Sequence, residues 1–138
     1  MSRIFRKDVS MRSEELIHKE VKLQNRAAKL GLSPKIIDTD YKTYIDMEDL
    51  EEMCIADMYG ESIDCMPHII KKGIYHILER LYLECDIEYI DVTPYNFIET
   101  SDQLWIIDFG DAIEIKKDSY LKEIFSSRKL LKWNSEFY

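Results

Sequence analysis

Glycine is scarce in this sequence, with only four residues among 138 positions. Gly31, Gly60, Gly73 and Gly110 lie so far apart that neither G-x-G-x-x-G nor G-x-x-x-x-G-K-[ST] can be written. The glycines of those motifs let the backbone approach a phosphate closely, so their absence excludes a dinucleotide-binding fingerprint and a P-loop.

Clusters of basic residues are also missing. The sequence has 19 basic and 27 acidic residues, a net charge of −8, and no run of lysine or arginine longer than two. Nucleic-acid-binding proteins neutralise phosphates with clustered cations, so nucleic acid is not an expected partner. No stretch approaches the roughly 18 uncharged residues of a membrane span, and the N-terminus carries no apolar signal segment. We therefore expect a soluble, cytoplasmic protein without a membrane partner.

Residues that commonly bind structural metals show no recognisable pattern. Cys54, Cys65 and Cys85 are odd in number and have no C-x-x-C spacing, and the three histidines show no ligand spacing. Structural zinc needs four convergent ligands. We interpret the cysteines as reduced thiols, and both residue types as packing or surface residues.

The first half of the chain contains short strand-like segments around one amphipathic helix. Residues 3–9 alternate loosely and predict a strand, and Ser13 begins a helix that ends near Leu30. Residues 35–39 and 43–47 predict two strands joined by a turn. The acidic stretch that follows is interpreted by default as a solvated connector.

The second half predicts more helix. A short helix is expected over residues 53–60, and Pro67 is expected as the first residue of the core helix. Further along, a strand at 87–90, a hairpin over 96–107 and a helix over 120–133 are predicted. The core helix carries one apolar face, formed by Ile70, Ile74, Ile77, Leu78 and Leu81.

The apolar stripe of the first helix includes a carboxylate. The stripe consists of Leu16, Leu23, Ala27 and Leu30. Glu20 falls on the same stripe, four residues after its first member. An unpaired buried charge costs several kcal/mol, so we expect a cation beside it. Lys7 on the preceding strand is the nearest candidate by sequence, although an ordinary surface position for this lysine stays open.

Three polar residues of the second half can converge. Asp91 and Asn96 lie in the loop between the core helix and the hairpin, and Asp108 ends the hairpin beside Gly110. From the residues alone, Asp91 could equally cap a turn and Asp108 could simply end the hairpin.

These residues belong to two segments that resemble known motifs. The segments are YIDVTPYNFI at 89–98 and IIDFGDA at 106–112. They resemble the catalytic loop and the D-F-G motif of the protein-kinase-like superfamily. The compactness of the second half resembles the RIO group and the small kinase of the KEOPS complex. The IDFGDA string also resembles the aminoglycoside phosphotransferases.

The resemblance implies an α+β, minimal protein-kinase-like fold. It implies one domain over residues 1–138, with a truncated small lobe at 1–48 built from few antiparallel strands and one helix. Residues 49–52 correspond to the hinge. Residues 53–138 correspond to a reduced, mainly helical second lobe that carries the catalytic hairpin.

The resemblance also implies roles for the polar residues of the second half. Asp91 would accept or orient the proton of an attacking hydroxyl, and Asn96 and Asp108 would hold Mg²⁺ on the phosphates of ATP. Asp111 would be either a second metal-site acid or a solvated loop residue.

In the first half, the resemblance implies a nucleotide pocket. Glu20 matches the helix glutamate of the family, and Lys7 matches the strand lysine that pairs with it and contacts phosphates. Met47 matches the residue that guards the pocket. The segment from Glu48 to Leu50 resembles the start of the hinge between the lobes.

The sequence departs from the family pattern at several points. Tyr89 replaces the catalytic-loop histidine, and Ile90 replaces the arginine that contacts a phosphorylated activation loop. Six residues precede Lys7, too few for the usual glycine-rich cover. The 28 residues after Gly110 are too few for the usual substrate-binding helices.

We therefore hold several functional hypotheses together. The first is an ATP- and Mg²⁺-dependent phosphotransferase, more specifically a small atypical serine/threonine protein kinase. The alternatives are a small-molecule kinase and a catalytically impaired kinase-fold module that docks a protein partner. A partner subunit or a second copy could complete the reduced fold. If the chain is viral or an effector, the expected location is the host cytoplasm.

Overall fold

The computed structural model describes residues 3–115 and Trp133. In this part of the chain the fold is α+β, with small antiparallel sheets and three α-helices. None of these helices is long and apolar enough to cross a membrane. The helix predicted over residues 120–133 lies outside the described residues, apart from Trp133. Its indole Nε1 donates to the Glu61 carbonyl at 3.0 Å.

The first half forms an antiparallel sheet. Strands β1 (Ile4–Asp8), β2 (Ile36–Thr39) and β3 (Tyr44–Glu48) are arranged in the order β1-β3-β2. Phe5 lies opposite Met47, and Lys7 lies opposite Ile45. Since side chains alternate along a strand and opposite residues share a face, these four side chains lie on the same face.

Helix α1 (Glu14–Lys29) packs against this sheet. The hydroxyl of Ser13 accepts from the Leu16 N–H at 3.3 Å, and the helix ends before Gly31, whose φ is +74°. The predicted inward position of Leu16 is wrong, because this side chain is 38% exposed. The sheet packs on Ile17 and Val21, which turns the buried face away from Leu16.

The second half is built around a long helix. Helix α2 (Ile55–Tyr59) precedes α3 (His68–Glu84). Pro67 is the N-cap of α3 rather than its first helical residue, because its ψ of 148° is extended. The whole predicted apolar face of α3 is buried.

Short strands follow α3. They are β4 (Ile87–Glu88), β5 (Phe97–Glu99), β6 (Leu104–Ile106) and β7 (Ile113–Glu114). The predicted hairpin is confirmed as the pair β5-β6, while β4 pairs with β7. The sequence did not predict β7, because a strand of two residues carries no periodicity.

Helix α1 joins two apolar cores. Its Ile17 and Val21 pack with the sheet, while its Leu23 and Ala27 pack with α3 and the hairpin. The α+β fold class expected from the sequence is confirmed. The assignment of 1–48, 49–52 and 53–138 to two lobes and a hinge stays a prediction.

Candidate active site

Three charged residues meet where the sheet, α1 and the end of the hairpin come together. The Lys7 Nζ lies 2.5 Å from the Glu20 Oε2 and 2.9 Å from the Asp108 Oδ1. Glu20 is fully buried, whereas the Asp108 side chain is 41% exposed. The cation required beside the inward Glu20 is therefore Lys7, and it also contacts a residue 101 positions away.

The electrostatics of Lys7 and Asp108 favour the charged form of both groups. Burial disfavours the ammonium of Lys7, but the carboxylates of Asp108 and Glu20 outweigh burial and raise the Lys7 pKa. Burial likewise disfavours the carboxylate of Asp108, yet Lys7 and the Gly110 N–H outweigh it and lower the Asp108 pKa. Both groups are therefore charged at neutral pH.

The lowered pKa of Asp108 predicts a pH dependence of stability. Its charge contributes stability above the unfolded pKa, near 3.8, and this contribution is lost as the pH falls through the lower folded pKa. Wild type and Asp108→Asn should therefore differ in free energy of unfolding by a constant amount at pH 5–7. The difference should shrink below about pH 4. Urea unfolding at several pH values measures it, and a difference that grows towards acid would contradict the assignment.

The loop before the hairpin holds Asp91 and Asn96 together. A 3₁₀ turn at Pro94–Asn96 places the Asn96 Nδ2 2.8 Å from the Asp91 carbonyl oxygen and 3.1 Å from its Oδ2. Asn96 is buried and Asp91 is half-buried. Because the amide nitrogen faces Asp91, the Asn96 Oδ1 is the atom suited to bind a cation.

A cavity of about 260 Å³ opens beside the triad. Six of the eight residues selected from the sequence line it, namely Lys7, Met47, Glu48, Leu50, Asn96 and Asp108. The other two do not line the cavity, but each contacts a residue that does: Glu20 contacts Lys7, and Asp91 contacts Asn96. The acidic stretch interpreted as a solvated connector therefore contributes to the cavity wall.

Sequence reasoning missed four of the remaining lining residues, namely Phe5, Pro34, Ile98 and Ile107. The other two, Asp49 and Glu52, lie in the segment 49–52 that the resemblance assigned to the hinge. Strand periodicity could have found two of the missed residues, because Phe5 precedes Lys7 by two residues and Ile98 follows Asn96 by two. Pro34 reaches the cavity only through long-range folding.

The loop after β6 holds Asp108 in an uncommon conformation. Its φ is +63°, and its Oδ1 accepts from the Gly110 N–H at 3.1 Å. Arg12, which precedes α1, donates to the Gly110 carbonyl at 2.6 Å and lies 4.0 Å from Asp111. A Cβ on Gly110 would lie 3.2 Å from the Asp108 Oδ1 and 3.4 Å from the Arg12 guanidinium, so a side chain at this position would press on the Asp108 carboxylate.

Tyr89, treated in the sequence only as a departure, is also part of this loop's surroundings. Burial, with Asp108 and Asp91 next in effect, raises the pKa of its phenol well above 10, so the hydroxyl keeps its proton. The hydroxyl donates to the carbonyl oxygens of Ile107 and Asp108. No sequence signal indicated this contact, because its partners lie 18 and 19 positions further along the chain.

The donor atoms in the cavity fit one particular kind of metal site. Within residues 3–115, no three His, Cys, Asp or Glu side chains form a metal-binding cluster. Asn96 and Asp108 instead offer an amide and a carboxylate oxygen to one cavity. Mg²⁺ is typically held by one or two carboxylates together with substrate phosphates and waters. These residues therefore fit Mg²⁺ bound together with a nucleotide.

The RIO domain family model matches residues 3–126. The chain belongs to the RIO family. This family is a group of atypical, protein-kinase-like phosphotransferases that generally use ATP and Mg²⁺. The match includes every residue of the triad and both residues of the Asp91–Asn96 pair. A comparison with curated proteins finds no match for the chain.

Proposed function

We propose that this RIO-family protein is an ATP- and Mg²⁺-dependent phosphotransferase that acts on serine or threonine in proteins. The observation that carries the proposal is the Lys7–Glu20–Asp108 triad, which shares one cavity with Asn96. Phosphoryl transfer depends mainly on positioning and on neutralising charge. A half-buried lysine, oxygen ligands and an adjacent carboxylate provide both.

The cavity lining combines apolar and charged side chains that suit the parts of ATP. Phe5, Met47 and Ile98 are apolar, and Lys7 and Asp108 are charged. The volume of about 260 Å³ lies near the lower bound of ligand pockets, roughly 300 Å³. We therefore infer that the base and sugar contact the apolar side chains, while the phosphates extend towards Lys7.

The chain's own residues have defined tasks in this proposal. Glu20 fixes the Lys7 ammonium, which contacts the phosphates, and Asn96 and Asp108 would hold Mg²⁺, which neutralises phosphate charge when bound. The oxygen of the acceptor hydroxyl bonds to the γ-phosphorus while the bond between that phosphorus and the ADP oxygen breaks. Asp91 accepts the proton that the hydroxyl loses. The hydrogen bonds from Asn96 hold Asp91 in place.

Binding of Mg·ATP to the purified chain tests the proposal most directly. At 100 times the dissociation constant, a ligand adds about 2.7 kcal/mol to the free energy of unfolding. For a chain of this size, we expect the melting temperature to rise by roughly 8 °C. Differential scanning fluorimetry measures this rise.

Two controls separate specific binding from charge effects. Mg²⁺ alone tests whether a chain of net charge −8 is stabilised by any divalent cation, and ATP with EDTA tests the nucleotide without metal. Equal melting temperatures with and without Mg·ATP would contradict the proposal. That result would favour the alternative of a catalytically impaired module that docks a protein partner. Incorporation of labelled phosphate into protein rather than small-molecule acceptors tests the acceptor class.

A further inference from the structure

The guanidinium of Arg12 lies against Gly110. Its Nη2 donates to the Gly110 carbonyl oxygen at 2.6 Å, across 98 positions of the sequence. A Cβ on Gly110 would lie 3.4 Å from both the Cζ and the Nη1 of Arg12, so the guanidinium covers the side of Gly110 where other residues carry a side chain. The N–H of Gly110 donates to the Asp108 Oδ1 at 3.1 Å. The two peptide groups that flank Gly110 are therefore both held by charged side chains.

The backbone that carries Arg12 is itself fixed. Arg12 lies in the connection between β1 and α1, where its N–H donates to the Val9 carbonyl at 3.0 Å. Val9 is buried with the sheet, and α1 begins two residues after Arg12, so both ends of this connection are anchored. The same short stretch of chain therefore contacts the loop after β6 twice, through the Lys7 ammonium and through the Arg12 guanidinium.

Stability alone does not explain the position of Arg12. Its side chain is 31% exposed, yet its Nε is buried and makes no hydrogen bond within residues 3–115 and Trp133. A buried donor without a partner costs about as much free energy as a hydrogen bond contributes, so the contact with Gly110 brings the fold little net stability. The pair with Asp111 at 4.0 Å is exposed and adds little more. A role in the active site is therefore the better explanation for this half-buried arginine.

Arg12 acts on Asp108 through Gly110 rather than through its charge. Burial raises the Asp108 pKa, Lys7 and the Gly110 N–H lower it, and the charge of Arg12 has the smallest of these effects. Among the described residues, Lys7 and the Gly110 N–H both contact the Asp108 Oδ1. The Oδ2 is thus the oxygen that is available to a cation, and its direction depends on how Oδ1 is held.

We propose that Arg12 is a positioning residue that clamps the Gly110 carbonyl and thereby keeps the Asp108 carboxylate in the position that holds Mg²⁺ when ATP is bound. Without the guanidinium, the backbone at Gly110 can rotate, because glycine has no side chain to restrict it. The Gly110 N–H then no longer fixes the Asp108 Oδ1, and the carboxylate leaves this position. The inference rests on the proposed function, because it concerns the Mg²⁺-dependent part of ATP binding.

Arg12→Met removes the guanidinium but keeps a long, unbranched side chain. We expect the dissociation constant of Mg·ATP to rise about 10-fold, the lower range for losing a group that orients a metal ligand. The dissociation constant of ATP in EDTA should change less than about twofold, since Asp108 acts on ATP through the metal. The melting temperature should change by less than about 3 °C, because a hydrogen bond and a buried unpaired donor are lost together. Isothermal titration calorimetry with and without Mg²⁺ measures both constants, and differential scanning fluorimetry measures the melting temperature.

The outcomes separate this inference from the proposed function. If wild type does not bind Mg·ATP, the proposed function fails and the inference fails with it. If wild type binds more tightly with Mg²⁺ and Arg12→Met keeps that full advantage, only the role of Arg12 is overturned. An equal loss of affinity with and without Mg²⁺, or a variant that does not fold, would assign Arg12 to stability and also overturn it.

Two further variants sharpen the test. Arg80→Met removes the same charge from a side chain that is also 31% exposed, but whose partner is Glu84 on α3. It should leave the Mg²⁺ advantage unchanged, and the same Mg²⁺-specific loss would contradict a role particular to Arg12. Arg12→Lys keeps a charged donor for the Gly110 carbonyl, so it should retain more of the advantage than Arg12→Met. An equal loss in Arg12→Lys and Arg12→Met would contradict the hydrogen bond to Gly110 as the cause.

Discussion

Asp108→Asn is expected to reduce γ-phosphate transfer from ATP by roughly 1,000-fold, the upper range for losing one preorganised electrostatic group. The change keeps the shape of the side chain but removes the charge that Lys7 faces and that would hold Mg²⁺ in the proposed function. Transfer of labelled phosphate, to a protein acceptor or to the chain itself, measures the loss.

A matched control distinguishes this site effect from a general loss of negative charge. Asp102 lies exposed in the turn of the β5-β6 hairpin, so Asp102→Asn removes the same charge away from the cavity. It should leave phosphate transfer unchanged. Equal incorporation by wild type and Asp108→Asn would refute the role of Asp108 in catalysis.

Asp111→Asn resolves an alternative that the sequence left open. The Asp111 side chain is 67% exposed and lies 4.0 Å from the Arg12 Nη2, an arrangement typical of a weak surface pair. As a solvated loop residue, it should tolerate the change with nearly full activity. A loss comparable to that of Asp108→Asn would instead assign Asp111 to the metal site.

Lys7→Met is expected to lower the free energy of unfolding by about 3–5 kcal/mol, the usual range when one partner of a buried ion pair is removed. Glu20 is fully buried, and its Oε1 makes no hydrogen bond within the described residues. Without Lys7, the Glu20 carboxylate has no cation beside it in this ion-pair network. Asp108 also loses its contact with the Lys7 ammonium. Urea unfolding followed by circular dichroism measures the change.

The double variant Lys7→Met, Glu20→Leu separates stability from function. Replacing both partners by apolar residues of similar size is often neutral or stabilising, so most of the lost stability should return. Phosphate transfer should be lost in the single and the double variant alike, because both lack Lys7, the cation proposed to contact the phosphates. A double variant as unstable as Lys7→Met alone would contradict the view that buried charge causes the loss.

Lys42→Met provides the matched control for the single variant. Its ammonium lies 3.9 Å from Glu14, and both side chains are more than half exposed. Exposed pairs contribute about 0–1 kcal/mol, so this lysine should be replaceable at little cost. The contrast between the two lysines tests whether burial sets the size of the effect.

Local signals in the sequence determined most of the secondary structure. Ser13, Gly31 and the spacing of apolar residues in α3 act within a few positions, so the helices could be read directly. The hairpin followed from two apolar runs and a polar turn. Strand β4 lies within the strand predicted at 87–90, whereas β7 is too short for a period, and their pairing joins residues 25 and 27 positions apart.

The sequence also predicted most of the residues that line the cavity or contact its lining, because the inward Glu20 demanded a cation and the Asp91 and Asp108 motifs have characteristic spacing. Only the tertiary structure decided that Lys7 is shared between Glu20 and Asp108, and that Tyr89 touches the Asp108 backbone. Those contacts join α1, the sheet and the loop after β6. They form only when the apolar faces of α1 pack on both cores, a long-range event that no local spacing records.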